Sequence, residues 1–432
     1  MDPIIVSSLG IGVMFLLIVL QVPIGISMAV VGVAGFGMLS GFAPALTLIG
    51  TESWLAIGNV DLAVIPLFLL MGNFAGAAGI SGDIYDLAYA FVGHRRGGLA
   101  LSTIVGCGFF GAICGSSTAT AATFGRVAFP EMLQRNYSPA FATGCIAAGG
   151  TLGSLVPPSV IMIIYAVMAE EFILDLFIAA AIPAVMEIAL YLIAIMVYVR
   201  AKPNAGPAGP RISWKERLKT MRKAWGALLI GGAVIGGIYG GIFTVTEAAS
   251  LGVVLSFIFA LARGKLTWKT FWESLMATAN TTAMIYIIII GANVFTYFMA
   301  LTRMPEALVS LISNMAAPNV LILLVLMLIY LILGSIFDTL AAMLITLPFA
   351  LPVIVSMGYS PVWWGIINVV VIETGMITPP IGLNVFILHG VTEVPLGIIY
   401  RGTLPFILSD FIRISLLVIF PSLVLLLPNL LR

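Results

Sequence analysis

Two short polar islands interrupt an otherwise apolar chain. One is Gly115-Ser116-Ser117-Thr118; the other contains Gly334, Ser335, Asp338 and Thr339. Each island is followed by a second broken stretch. Gly150, Thr151, Gly153, Ser154, Pro158 and Ser159 follow the first, and Glu373, Thr374, Gly375, Thr378, Pro380 and Asn384 follow the second. Broken backbone of this kind leaves carbonyl oxygens free beside hydroxyls, a donor set that suits a hard monovalent cation such as Na⁺. The half-helix N-termini at the same breaks supply partial positive charge for an anionic group. The expectation is a cation-coupled site for a carboxylate. Small residues that merely let helices pack closely are the plainer alternative. Two such patches, each paired with a Pro-Pro break, favour the site.

Asp338 and Glu373 are the acids inside these patches. A carboxylate at membrane depth costs at least ~2.5–3.5 kcal/mol, so each is expected to be paired, protonated or cation-bound. Asp338 reads as part of a cation site; Glu373 reads equally as that or as a structural hydrogen-bond acceptor. Arg126 either clamps a substrate carboxylate or snorkels to a membrane face, and the latter is favoured. Arg413 and Asp410, one turn apart, read as a local ion pair. Glu247 in T-x-x-E matches a helix cap imperfectly. Trp54 and Trp363-Trp364 read as interfacial anchors.

The elements that position these residues occur twice. Tyr137-Ser138-Pro139 recurs as Tyr359-Ser360-Pro361, 222 positions on, and Pro157-Pro158 recurs as Pro379-Pro380 at the same offset. Repeats with interrupted hydrophobic segments in corresponding positions point to a transporter binding site. Of the 432 residues, 61% are hydrophobic and 9% charged. A soluble domain carries roughly a quarter charged residues, so this is a polytopic protein of the lipid bilayer. A net charge of +1 gives no reason to expect a nucleic-acid partner. There is no P-loop, no HExxH and no Ser/His/Asp set, which argues against an enzyme. Cys107, Cys114 and Cys145 form no metal or redox spacing. The first apolar stretch lacks a basic n-region and cleavage site, so it reads as a retained span.

A span needs about 20 apolar residues. Residues 1–199 read as a first repeat, with a re-entrant helical hairpin at about 98–133 and a broken helix at about 140–168. Hairpin arms of about 15 residues reach only ~22 Å, short of a full crossing; two tilted short spans are the alternative. Residues 200–223 read as a basic linker that Pro203, Pro207 and Pro210 keep extended. Residues 224–432 read as the second repeat, with a hairpin at about 320–355 and a broken helix at about 361–390. The positive-inside rule makes the linker cytoplasmic. Five crossings then place the N-terminus outside, and the odd count inverts the second repeat. The fold class is therefore all-α, with two inverted repeats of about five spans each and one hairpin apiece.

At these residues the chain resembles the large membrane subunit of TRAP (tripartite ATP-independent periplasmic) transporters. The resemblance rests on GSSTATAATFG with PEM, GGTLGSLVPPS, GGIFTVTEAA, ITPPIGLN and the closing FPSLVLLLP. Val245 departs from the proline often found there. The resemblance implies an elevator-type ion-transporter fold, with the hairpins and broken helices moving substrate across a static scaffold. It implies Na⁺ sites at Ser116, Ser117, Thr118 and Gly153 in one half, and at Asp338, Thr339, Gly375 and Thr378 in the other. Gly150 and Thr151 extend the cation set, and Ser117, Pro158, Ser159, Arg126, Thr339, Pro380 and Asn384 are the substrate candidates. Two partners follow: a small membrane subunit of about four helices and a periplasmic substrate-binding protein that delivers a small organic anion. The implied location is the cell inner membrane. A stand-alone Na⁺/dicarboxylate elevator symporter without a binding protein is the alternative.

Overall fold

Backbone polar groups in hydrocarbon must pair within their own segment, so a chain this apolar folds as helices. The structure, a computed structural model, describes residues 3–314 and 318–431. The described residues form twenty-one α-helices and one short 3-10 turn, with no strand among them. Helices α1 (Pro3–Val19), α2 (Ile24–Ser40) and α3 (Phe42–Gly58) come first; α4 (Val64–Ala77) and α5 (Ile80–Val92) then bend by 68° about Gly79. Next come α6 (Gly98–Cys114) and α7 (Ser117–Gln134), the broken pair α8 (Pro139–Leu155) and α9 (Val160–Met168), and α10 (Ile173–Ala201). After the linker helix α11 (Trp214–Lys223) lie α12 (Trp225–Tyr239), α13 (Val245–Ala262), α14 (Trp268–Leu301) and α15 (Met304–Asn314). The second set is α16 (Asn319–Ile336), α17 (Thr339–Ser356), α18 (Pro361–Gly375), α19 (Leu383–Thr392), α20 (Leu396–Ile419) and α21 (Ser422–Leu431). Helices α7 and α8 begin at Ser117 and Pro139, and α17 and α18 at Thr339 and Pro361, so the 222-residue offset carries into the helix boundaries.

Among the described residues, six single helices are long and apolar enough to cross a bilayer: α10, α13, α14, α16, α17 and α20. The bent pairs α4–α5 and α8–α9 bring the total to eight if each is one span. Helices α8 and α18 sit at the centre, buried from Phe141 to Leu155 and from Val362 to Gly375. Alanines and glycines along α8 let α6, α7 and α20 pack directly on it. Helices α2, α3, α4, α13 and α14 pack mainly on one another, away from this centre.

Four expectations need correcting. The hairpin arms are 17 or 18 residues long, not about 15. At ~27 Å an arm nearly spans the hydrocarbon, so burial of the tips, not arm length, argues for re-entry. The linker is not extended throughout: Ser213 and Glu216 form a full capping box that starts α11. A second box, Thr244 with Glu247, starts α13, so the T-x-x-E match is complete. Trp363 and Trp364 are fully buried, where Tyr330 and Tyr359 pack against them and the Trp363 indole donates to the Leu417 carbonyl at 3.1 Å. They are core residues; Trp54, 77% exposed, keeps an outward position.

Candidate functional site

Each polar turn is built by a helix stop followed at once by a capped helix start. Gly115 ends α6 with φ +63°, a conformation glycine adopts without strain, and Ser116 then caps α7 by accepting from the Ala119 N–H. The Ser116 carbonyl accepts from the Thr120 hydroxyl at 2.8 Å, and its own hydroxyl lies 3.1 Å from that of Thr118. In the second turn Asp338 caps α17, one carboxylate oxygen accepting from the Ala341 N–H at 3.0 Å. Thr339 donates its hydroxyl to Glu373 Oε1 at 2.7 Å. The other Glu373 oxygen is buried without a hydrogen-bond partner. Among the described residues no basic side chain pairs with Asp338 or Glu373.

The two turns meet. A cavity of about 120 Å³ is lined by Ser116, Ser117 and Thr118 from one and by Asp338 and Thr339 from the other, with Ser154 and Met376 between them. The Ser117 N–H donates to the Ser154 hydroxyl at 3.2 Å, and the Ser117 hydroxyl lies 3.6 Å from Met376 Sδ. Thr339 approaches the same sulfur. The N-termini of α7, α9 and α17 all end on this cavity, through Ser117, Val160 and Thr339. Partial positive charge from three helices therefore converges there.

The remaining candidates fall around it. Gly150 and Gly153 press backbone against the first turn: a Cβ on Gly153 would lie 2.4 Å from the Ser116 oxygen, and one on Gly150 3.2 Å from that of Ser117. Gly375 does the same to the second turn, 2.7 Å from the Gly334 carbonyl carbon. Asn384 is buried beside Gly150, reaching the Ala147 carbonyl at 3.4 Å. Ser159 occupies the N-cap position of α9 without a side-chain capping bond, and its hydroxyl is buried with no hydrogen-bond partner. Pro158 and Pro380 each follow a cis bond at the matching breaks. Two hydroxyls turn elsewhere. That of Thr378 donates to the Thr374 carbonyl at 2.6 Å, and that of Thr151 lies 2.5 Å from the Ala148 carbonyl and 2.7 Å from Glu187 Oε1. Arg126 lies outside the small cavity. It lines a larger one of about 1,110 Å³ with Asp83, Lys223, Arg263 and Lys265, whose inner end reaches Ser116 and Thr118. There Asp83 pairs with Arg263 and, at 3.3 Å, with Lys223. The Asp86 hydrogen bond holds the Lys223 ammonium above the usual lysine range.

Three residues escaped the sequence. Met376 sits between the two turns. Glu187 and Tyr191 of α10 complete a buried network with the expected Arg413–Asp410 pair, whose separation is 2.9 Å. Arg413 contacts Glu187, and the Tyr191 hydroxyl donates to Asp410 Oδ2 at 2.8 Å.

Comparison with known proteins gives concordant results. Residues 11–423 match the family described as "Tripartite ATP-independent periplasmic transporter, DctM component". The C4-dicarboxylate TRAP transporter large permease protein of Pseudomonas aeruginosa is 36% identical over 372 residues, covering 86% of this chain and 87% of that one. The sialic acid TRAP transporter large permease protein of Vibrio cholerae is 34% identical over 377 residues, covering 87% of each. Among solved structures, the Alcanivorax borkumensis YdaH transporter superposes with a TM-score of 0.61 at 14% identity, covering 88% of this chain and 89% of that chain. That likeness shows the same fold, and with the match over nearly the whole chain it follows that this protein belongs to the DctM-component family of tripartite ATP-independent periplasmic transporters.

Proposed function

We propose that this large permease subunit takes up a small organic acid together with Na⁺, driven by inward Na⁺ flow down its gradient and without ATP. The observation that carries the reading is the shared cavity: two hairpin turns 222 residues apart present hydroxyls, a carboxylate and two helix N-termini to one space, and the broken helix adds the N-terminus of α9. Hydroxyls, free carbonyls and Asp338 suit Na⁺, and the helix N-termini suit a carboxylate. Both relatives described above are named for transport of carboxylic acids, which supports an organic acid here. Arg126, in the large cavity that opens onto the first turn, supplies positive charge on the path to the cytoplasm.

The two packing groups support an elevator mechanism. The body around α8 and α18 carries the cavity, and the helices around α4 and α14 form the static scaffold. The basic linker faces the cytoplasm and the N-terminus the periplasm, by the positive-inside rule. The chain works in the inner membrane with a small membrane subunit and a periplasmic binding protein, and it catalyses no chemistry. Each net positive charge moved inward gains about 2.3 kcal/mol per 100 mV, so two Na⁺ per monoanion concentrate substrate roughly 40-fold from the potential alone.

Proteoliposomes carrying both membrane subunits, supplied with loaded binding protein, test this. Uptake should depend on Na⁺ and be negligible when K⁺ replaces it. Equal uptake in K⁺ refutes Na⁺ coupling, and uptake of free acid by this chain alone favours the stand-alone symporter.

A further inference from the structure

A second feature lies far from the polar turns. Helices α5, α6 and α12 enclose a groove of about 630 Å³, lined by apolar side chains such as Phe91, Phe109 and Leu228. Its α12 wall is scooped out by Gly231, Gly232 and Gly236, where a Cβ would meet nothing within 4 Å. From Ala227 to Gly236 that wall runs ~14 Å along the helix axis. One end is closed by Met221 of α11.

Helix α11 has the character of a segment lying in a membrane–water interface. Trp214, Leu218 and Met221 recur at helical spacing and are exposed, while Lys215, Lys219, Arg222 and Lys223 occupy the other faces. Arg217 stands at the closed end of the groove. Its guanidinium lies 5.6 Å from the Phe91 ring and 4.9 Å from the Trp214 ring. Among the described residues no carboxylate pairs with it, and its Nε is buried without a hydrogen-bond partner. Nearby Lys223 and Arg263, by contrast, are both paired with Asp83. An unmatched planar cation above an apolar channel complements a phosphate ester with a hydrocarbon tail.

We propose that this groove is a binding site for an anionic glycerophospholipid, with an acyl chain along α12 and the phosphate at Arg217. The position of α11 favours a lipid over a protein helix. A helix filling the groove would have to continue through the level that α11 crosses, whereas an acyl chain begins at that level.

Native mass spectrometry of the full-length chain in detergent, alone and together with the small membrane subunit, titrated with phosphatidylglycerol or with phosphatidylcholine of the same acyl chains, tests the proposal. Wild type should retain phosphatidylglycerol preferentially. Arg217→Glu should weaken phosphatidylglycerol by about tenfold or more and leave phosphatidylcholine unchanged. Gly232→Leu, which fills open space and should leave the fold intact, should displace both lipids. Gly231→Leu provides a second filling variant, and thermal melting checks the fold of each. Equal binding of the two lipids by wild type and Arg217→Glu overturns the site. Loss on filling without loss in Arg217→Glu overturns its anionic character. Release of the partner membrane subunit by Gly232→Leu, with no bound lipid in wild type, assigns the groove to a protein helix and also overturns it.

Discussion

Replacing Gly153 with alanine should strike the proposed cation site directly. The new methyl would lie 2.4 Å from the Ser116 carbonyl oxygen, 2.6 Å from Thr120 Oγ1 and 2.8 Å from the Ser116 carbonyl carbon. Ordinary contact begins at 3.4 Å, so α8 and the first hairpin turn must part by about 1 Å. Side-chain rotation cannot relieve this, because two of the three atoms are backbone and the third is hydrogen-bonded to that same carbonyl. Overpacking of this kind costs about 1–3 kcal/mol. If Ser116 and the α8 break hold one ion, the strain falls on bound-state geometry. The Na⁺ concentration for half-maximal uptake should then rise roughly five- to hundredfold. The assay is a Na⁺ titration of uptake in proteoliposomes bearing the complete transporter. Gly390→Ala, whose methyl meets nothing within 4 Å, is the control and should leave the curve unchanged. An unaltered Na⁺ curve in a folded Gly153→Ala protein would refute the reasoning.

Arg413→Met should lower the melting temperature sharply, because Glu187 and Asp410 lose their shared buried counter-ion. Breaking a buried pair by removing one partner costs about 3–5 kcal/mol, and an unchanged melt would show that the network does not stabilise the fold. Glu247→Ala should lower the melting temperature modestly, because the Glu247 carboxylate accepts from the Thr244 backbone N–H and hydroxyl in the capping box that starts α13. An unchanged melt contradicts the capping role.

The polar turns were legible because glycine, proline and hydroxyls are conspicuous in an apolar chain, and because the 222-residue offset wrote them twice. Their meeting at Met376 was not, since an apolar methionine among Glu373, Thr374, Gly375 and Thr378 gives no polar or spacing signal of its own. Glu187 and Tyr191 are isolated polar residues in a 29-residue apolar helix. Their partners are remote: Glu187 and Arg413 are 226 positions apart. Only tertiary packing of α10 on α20 brings them together. Trp363 and Trp364 misled because tryptophan near a helix start favours an interface, yet Tyr330 of α16 packs on Trp364 and the Leu417 carbonyl of α20 accepts from Trp363. Ser213 and Glu216 signal the start of helix α11, but Pro203, Pro207 and Pro210 favour extended chain only upstream of it, not through the whole linker.

The most direct test asks whether the two hairpin turns act on the same ion. Ser117→Ala, Thr339→Ala and the double variant would be compared by Na⁺ half-saturation of uptake in a double-mutant cycle. A shared site predicts coupling of about 0.5 kcal/mol or more between residues 222 positions apart in sequence. Additivity within about 0.3 kcal/mol would mean that the turns serve separate ions, and would contradict the account.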